Sequence, residues 1–264
     1  MYAALPMYDI APLSAVTDLL WAGIRGRLQT GGIDAPPALM RDADIADGWL
    51  RPDLLLSQAC GLPYVRQLQG KVRLVGAVDH GLAGIIPGQY CSRIVVRRSD
   101  LAAGLGRIDD YRGQRCAYNS ANSQSGAGAM RHLVLPLLRQ GRFFGAGLRT
   151  GGHFASISAV ADGRADITAV DAATWRLAER HLPDAAALVV IASTEPTSGL
   201  PLITAGDGPA ALLFPAISGA LAALTPGQRD AIGIQGLVPR NDADFAVIAA
   251  WDRAAVAAGY DELG

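Results

Sequence analysis

The chain has 264 residues, half of them hydrophobic and 18% charged, with 23 basic against 24 acidic side chains and a formal net charge of -1. That length and apolar content suit one large domain or two lobes of ordinary size and exclude long disordered stretches. The charge balance gives no reason to expect nucleic acid, and an anionic ligand would need a local site rather than a uniformly attracting surface.

From the N-terminus, residues 1–9 carry no basic region ahead of an apolar run, and the first positive side chain is Arg25, so no export signal is read there. Such a start fits a mature chain, a misassigned start or retention in the cytoplasm. Residues 2–7 read as a first strand. Leu13, Val16, Leu20, Ile24 and Leu28 stand at helical spacing, with Gly31-Gly32 as the stop. Leu54-Leu55-Leu56 is a brief buried strand running into Gln58-Ala59-Cys60-Gly61, and 72–78 is another strand. β-rich runs at 92–97 and 187–192 look like two crossings between lobes; the stretch that follows the second, 194–201, holds two prolines and a glycine.

Between the crossings the pattern is clearest. Residues 115–119 form a strand, Ser120-Ala121-Asn122-Ser123-Gln124-Ser125-Gly126 a polar loop, and Met130, Leu133, Val134, Leu137 and Leu138 one helix face that Pro136 should kink or shorten. Residues 148–150 are a strand edge. Gly151-Gly152-His153 opens a helix that buries Ile157 and Val160 and stops at Gly163. Residues 166–170 form a strand, with Asp171 just beyond it and a helix over 172–181. Farther on, 208–224 is the most apolar window; it is shorter than the ~20 residues of a membrane span and holds Pro215, so it reads as a buried helix. Residues 245–259 form the last amphipathic helix. This alternation predicts an α/β protein of mostly parallel sheets flanked by helices. It divides into lobe 1, residues 1–94 and 191–264, and lobe 2, residues 95–190.

Cys60, Cys91 and Cys116 match no zinc spacing, and an odd count leaves at least one thiol outside any disulfide; a Cys60–Cys91 bridge would need an oxidising compartment. No metal or cofactor is expected. Lys71 is the only lysine, a compositional bias that carries no function.

Three polar clusters follow strands of the same predicted sheet: Ser123-Gln124-Ser125, His153 and Asp171. Ligands of open parallel sheets bind beyond the carboxyl ends of the strands, so the three should converge. The serine cluster also begins a helix, whose first turn has backbone N–H groups without partners and a partial positive charge. With rotatable hydroxyls added, this makes an oxyanion site that needs no lysine. His153 offers one N–H even when neutral. A carboxylate such as Asp171 tolerates an anion only across a proton, which phosphate and phosphonates can supply and sulfate cannot; Asp171 would then act as a selectivity element. The plainer readings are a serine helix cap, a surface histidine and a capping aspartate. His80, His132 and His181 lack such neighbours and are read as structural.

In order and spacing these residues resemble the phosphate and phosphonate substrate-binding proteins of ABC transporters, which have the type 2 periplasmic-binding fold. The likeness rests on Ser-Ala-Asn-Ser-Gln-Ser-Gly, on Gly-Gly-His153 through Ala-Asp-Gly-Arg-Ala-Asp-Ile, on Ala-Val-Asp171, and on the early Leu-Pro-Met-Tyr8 and Leu-Leu-Leu-Ser-Gln58-Ala-Cys60-Gly61, over roughly residues 2–205. It implies two lobes joined by two hinge strands and a small oxyanion ligand of the phosphate, phosphonate or phosphite class. It also implies a membrane permease as partner and an extracytoplasmic location. Ser123, Gln124 and Ser125 match the family's Ser-Thr-Ser turn, with an amide where a hydroxyl is usual. His153 and Asp171 match its other ligands, and Tyr8, Gln58 and Tyr64 are contacts from the first lobe. A protein of this kind is not an enzyme. Rival readings are a serine hydrolase using Ser125, His153 and Asp171, for which Asn122–Ala127 lacks the Gly-x-Ser-x-Gly elbow, and a ligand-sensing or biosynthetic protein on the same fold.

Overall fold

Each of the strand runs read from the sequence enters one of two five-stranded sheets. The computed structural model describes residues 1–41 and 45–263. In chain order the strands are β1 (Tyr2–Ala4), β2 (Leu54–Gln58), β3 (Arg73–Asp79), β4 (Gln89–Tyr90), β5 (Ser92–Arg97) and β6 (Arg115–Tyr118). They continue as β7 (Ala146–Arg149), β8 (Ile167–Asp171), β9 (Leu188–Ser193), β10 (Thr197–Ser198), β11 (Pro201–Thr204) and β12 (Gly236–Val238). The chain separates into two compact units, Met1–Gln89 with Ser198–Ala246, and Tyr90–Thr197 with Val247–Gly264.

The first unit holds the sheet β1-β2-β11-β3-β12. β1 and β2 are parallel, while β11 runs antiparallel to both β2 and β3. β2 is buried along its whole length, as its unbroken apolar run requires of a strand covered on both faces. The helix Ser14–Thr30 turns Leu20, Trp21, Ile24 and Leu28 inward. The apolar window near residue 215 is the helix Ala210–Ala223, with Pro215 inside it and Leu213, Ile217 and Leu221 buried. Among the described residues no single helix is long and apolar enough to cross a membrane.

The second unit holds β7-β6-β8-β5-β9. β6 is parallel to β7 and β8, and β5 is antiparallel to β8 and β9. The expected crossing runs at 92–97 and 187–192 are therefore full strands of this sheet. The chain changes unit at Gln89/Tyr90 and Thr197/Ser198, within β4 and β10, which pair with each other. At the end of the sheet where β6 and β8 begin, Asp166 accepts hydrogen bonds from Arg115 (Nε 3.0 Å) and Arg97 (Nη2 2.9 Å). Arg97 also donates to the carbonyls of Val160 and Ala165, tying β5 to the turn before β8.

The C-terminal tail departs from the expected division. The expected division places residues 191–264 in the first lobe, yet from Val247 onward the chain belongs to the second unit. Packing decides it. Trp251 stacks on His132 at 3.8 Å and 6°, Arg131 donates to the carbonyl of Asp261, and Tyr260 and Leu263 enter the core formed by Met130, Phe143 and Ile167. An amphipathic pattern fixes which face of a helix is buried, not the core that receives it.

Candidate functional site

β7, β6 and β8 are parallel neighbours that end at one edge of the second sheet, and the chain leaving each of them turns into a helix. β6 leads to a wide helical turn, Gln124–Gly128, continuing into Ala129–Val134. β7 leads to the helix His153–Ala161, and β8 to the helix Ala172–His181. Gly163, past the end of the His153 helix, takes the left-handed conformation (φ +80°) that closes such helices without a Cβ clash. Pro136 ends the regular α-helix at Val134 and leaves a single tighter turn, Leu135–Leu137.

The predicted residues meet at this edge. Ser123 caps its turn, its Oγ accepting from the Gly126 amide at 3.0 Å. Ser125 Oγ and His153 Nε2 are hydrogen-bonded at 2.8 Å, bridging the β6 and β7 loops. Gln124 and Ser125 are both buried. Burial pushes the His153 imidazole below its ordinary value of 6.5, with the nearby charge of Asp171 pulling the other way. The ring is therefore neutral at neutral pH, and its Nδ1 is buried without a partner among the described residues.

Asp171 ends β8 and is 2% exposed; its Oδ1 accepts from the amides of Ala173 (2.7 Å) and Thr174 (2.9 Å). It serves as a helix cap, and its charge also acts on His153. A Ser125–His153–Asp171 relay requires the carboxylate on the imidazole Nδ1, and no such bond is present. Among the described residues, no three metal-binding side chains come together.

The first-lobe candidates divide. Gln58 is the last residue of β2, and Tyr8 follows β1, so both stand at the carboxyl ends of parallel neighbours. Gln58 Oε1 accepts from the Met7 amide at 3.3 Å, and Tyr8, Asp9 and Gln58 line one small hollow of about 30 Å³. Tyr64 does not join them. Its ring packs on Phe245 at 4.7 Å, and its hydroxyl donates to Asp242 at 2.5 Å.

Two neighbours are not among the expected site residues: His80, which reads as structural in the sequence, and Asn119, which reads as the end of a strand. His80 follows β3 and meets the Tyr8 ring edge-on at 4.5 Å; its place directly after a strand was the available signal. Asn119 follows β6, and its Nδ2 lies 3.5 Å from His153 Nε2. A polar residue opening a loop of serines and asparagines gave no signal of its own.

The fold has many solved likenesses. PhnD1 from Prochlorococcus marinus, solved with methylphosphonate, superposes at a TM-score of 0.72 and 16% identity, over 96% of this chain and 97% of its own. XAC2383 from Xanthomonas citri, solved with ATP, gives 0.69 and 15%, over 98% of both chains. A binding protein of an ABC phosphonate transporter from Pseudomonas aeruginosa gives 0.69 and 14%, over 98% of this chain and 88% of its own. The fold is thus that of the type 2 periplasmic binding proteins. No curated protein sequence matches significantly. The family model for periplasmic substrate-binding proteins of phosphonate ABC transporters matches residues 52–245, and the chain belongs to that family. Its members serve a membrane permease and bind a small ligand.

Proposed function

We propose that this protein captures a small phosphonate or related oxyanion outside the cytoplasmic membrane by closing its two lobes, and delivers it to its permease. The carrying observation is the meeting of three strand-end loops, with Ser125 hydrogen-bonded to His153 at the opening turn of a helix. Hydroxyls, an imidazole and helix-start amides give an anion dipolar donors in a desolvated place without any lysine or arginine. Ser123, Gln124, Ser125, His153 and Asp171 form the main cradle, and Tyr8 and Gln58 are the contacts from the first lobe. Among the described residues His153 Nδ1 meets no carboxylate that would orient it as a base, which favours binding over turnover. The methylphosphonate held by the Prochlorococcus marinus likeness makes that compound the first probe. Isothermal titration with methylphosphonate, phosphate, phosphite and sulfate tests the reading: saturable binding of at least one phosphorus oxyanion is expected, and heats indistinguishable from dilution for all four would sink it.

A further inference from the structure

We infer that Asn119, rather than Asp171, is the residue that senses a proton on the bound oxyanion; this deepens the reading above and depends on it. Asn119 is held at the junction of two of the three loops, its carbonyl accepting from the Gly151 amide at 2.9 Å just ahead of His153. Its side chain spans the cradle. Nδ2 faces His153 Nε2, while Oδ1 lies so close to Gly126 that a Cβ on that glycine would overlap it. Oδ1 is buried and has no hydrogen-bond partner among the described residues. An acceptor left this way in a native protein calls for an explanation, such as a role in binding.

The surrounding groups are already engaged. Ser123 Oγ accepts from Gly126, Ser125 is bonded to His153, and Asp171 Oδ1 holds two amides of its own helix. Asn119 Oδ1 is thus an uncharged acceptor still unused among the described residues. The Ser125–His153 pair keeps one hydrogen to give, on the hydroxyl or on Nδ1 according to the tautomer, so a phosphate or phosphonate that keeps one proton can place its hydroxyl on Asn119 Oδ1 and its ionised oxygens on that remaining donor and the helix start. Sulfate has no proton to offer at neutral pH and would oppose lone pair to lone pair. An amide makes this distinction without adding a negative charge that would also repel the wanted anion.

The test is titration of inorganic phosphate, methylphosphonate and sulfate into the wild type, Asn119→Ala, Asn119→Asp and Asp171→Asn. Wild type should prefer phosphate to sulfate by at least about tenfold, the worth of one hydrogen bond to a charged group. Asn119→Ala should erase most of that ratio by weakening phosphate alone. Asp171→Asn, which retains the capping oxygen but removes a negative charge from the cradle, should shift phosphate and sulfate affinity together, by factors within about twofold of one another. Loss of discrimination in Asp171→Asn, equal weakening of both anions in Asn119→Ala, or no preference in the wild type would each overturn the inference. Should Asn119→Ala fail to fold, Asn119→Asp decides: its carboxylate should depress sulfate binding further and make phosphate binding tighten as pH falls, and an unchanged sulfate affinity and pH profile would overturn the idea. Wild-type protein that binds none of the three anions would instead refute the broader reading.

Discussion

His153 has one ring nitrogen bonded to Ser125 and the other buried without a partner among the described residues, so its proposed part in binding and its effect on stability can be measured separately. Ser125→Ala and His153→Ala should each weaken methylphosphonate binding by about 1 kcal/mol or more, read by calorimetric titration. The pH dependence of stability follows from burial. Both His153 and His132 are pushed below 6.5, opposed only in part by Asp171 and Glu195 respectively. The unfolded chain then binds more protons than the folded one in the window below 6.5, so their contribution is complete above that value and is lost as pH falls through it. The melting temperature should drop between about pH 7 and pH 5, and His132→Asn should flatten the drop. A steepness unchanged in that variant would remove His132 from the account. The meeting of Ser125 and His153 was legible because the loops that carry them follow neighbouring strands. Asn119 was not legible, because an oxygen left unmatched among the described residues is a property of packing.

At the scale of elements, the second sheet is anchored at one end so that loops at the other can be polar. Burial would raise the Asp166 carboxyl, but hydrogen bonds from Arg115 and Arg97 outweigh it and hold the group below its ordinary 3.8. That stabilisation is present above 3.8 and is lost as pH falls through the lower folded value. Asp166→Ala should cost about 2–3 kcal/mol in urea denaturation, mostly through Arg97, since the half-exposed Arg115 is screened by solvent. At the binding edge, Gly126→Ala would force a methyl group into Asn119 and should abolish methylphosphonate binding while far-ultraviolet dichroism stays native. Strands β2, β5, β6 and β8 were readable from apolar or β-branched runs ending in polar or turn residues. β11 and β12 carry no such signal: the first opens on Pro201, and the second is three half-buried residues beginning with Gly236.

For the whole molecule, the two runs expected to cross between lobes are strands of the second sheet, the chain changes unit outside them at Gln89/Tyr90 and Thr197/Ser198, and the tail from Val247 goes with the second unit. Tyr260 is 4% exposed in the core of the second unit, so Tyr260→Ala should cost about 3–5 kcal/mol, measured by chemical denaturation. Ligand at a hundred times its dissociation constant should stabilise the folded chain by about 2.7 kcal/mol, visible as a raised melting temperature. The cysteines offer a practical handle. None forms a disulfide; Cys91 and Cys116 are buried, and burial pushes both thiols up, away from the reactive anion. Cys60 alone is partly open, two residues past Gln58 on the chain leaving β2. A maleimide dye should therefore attach there in the unaltered protein, giving an optical reporter of solute arrival without engineering a new attachment point.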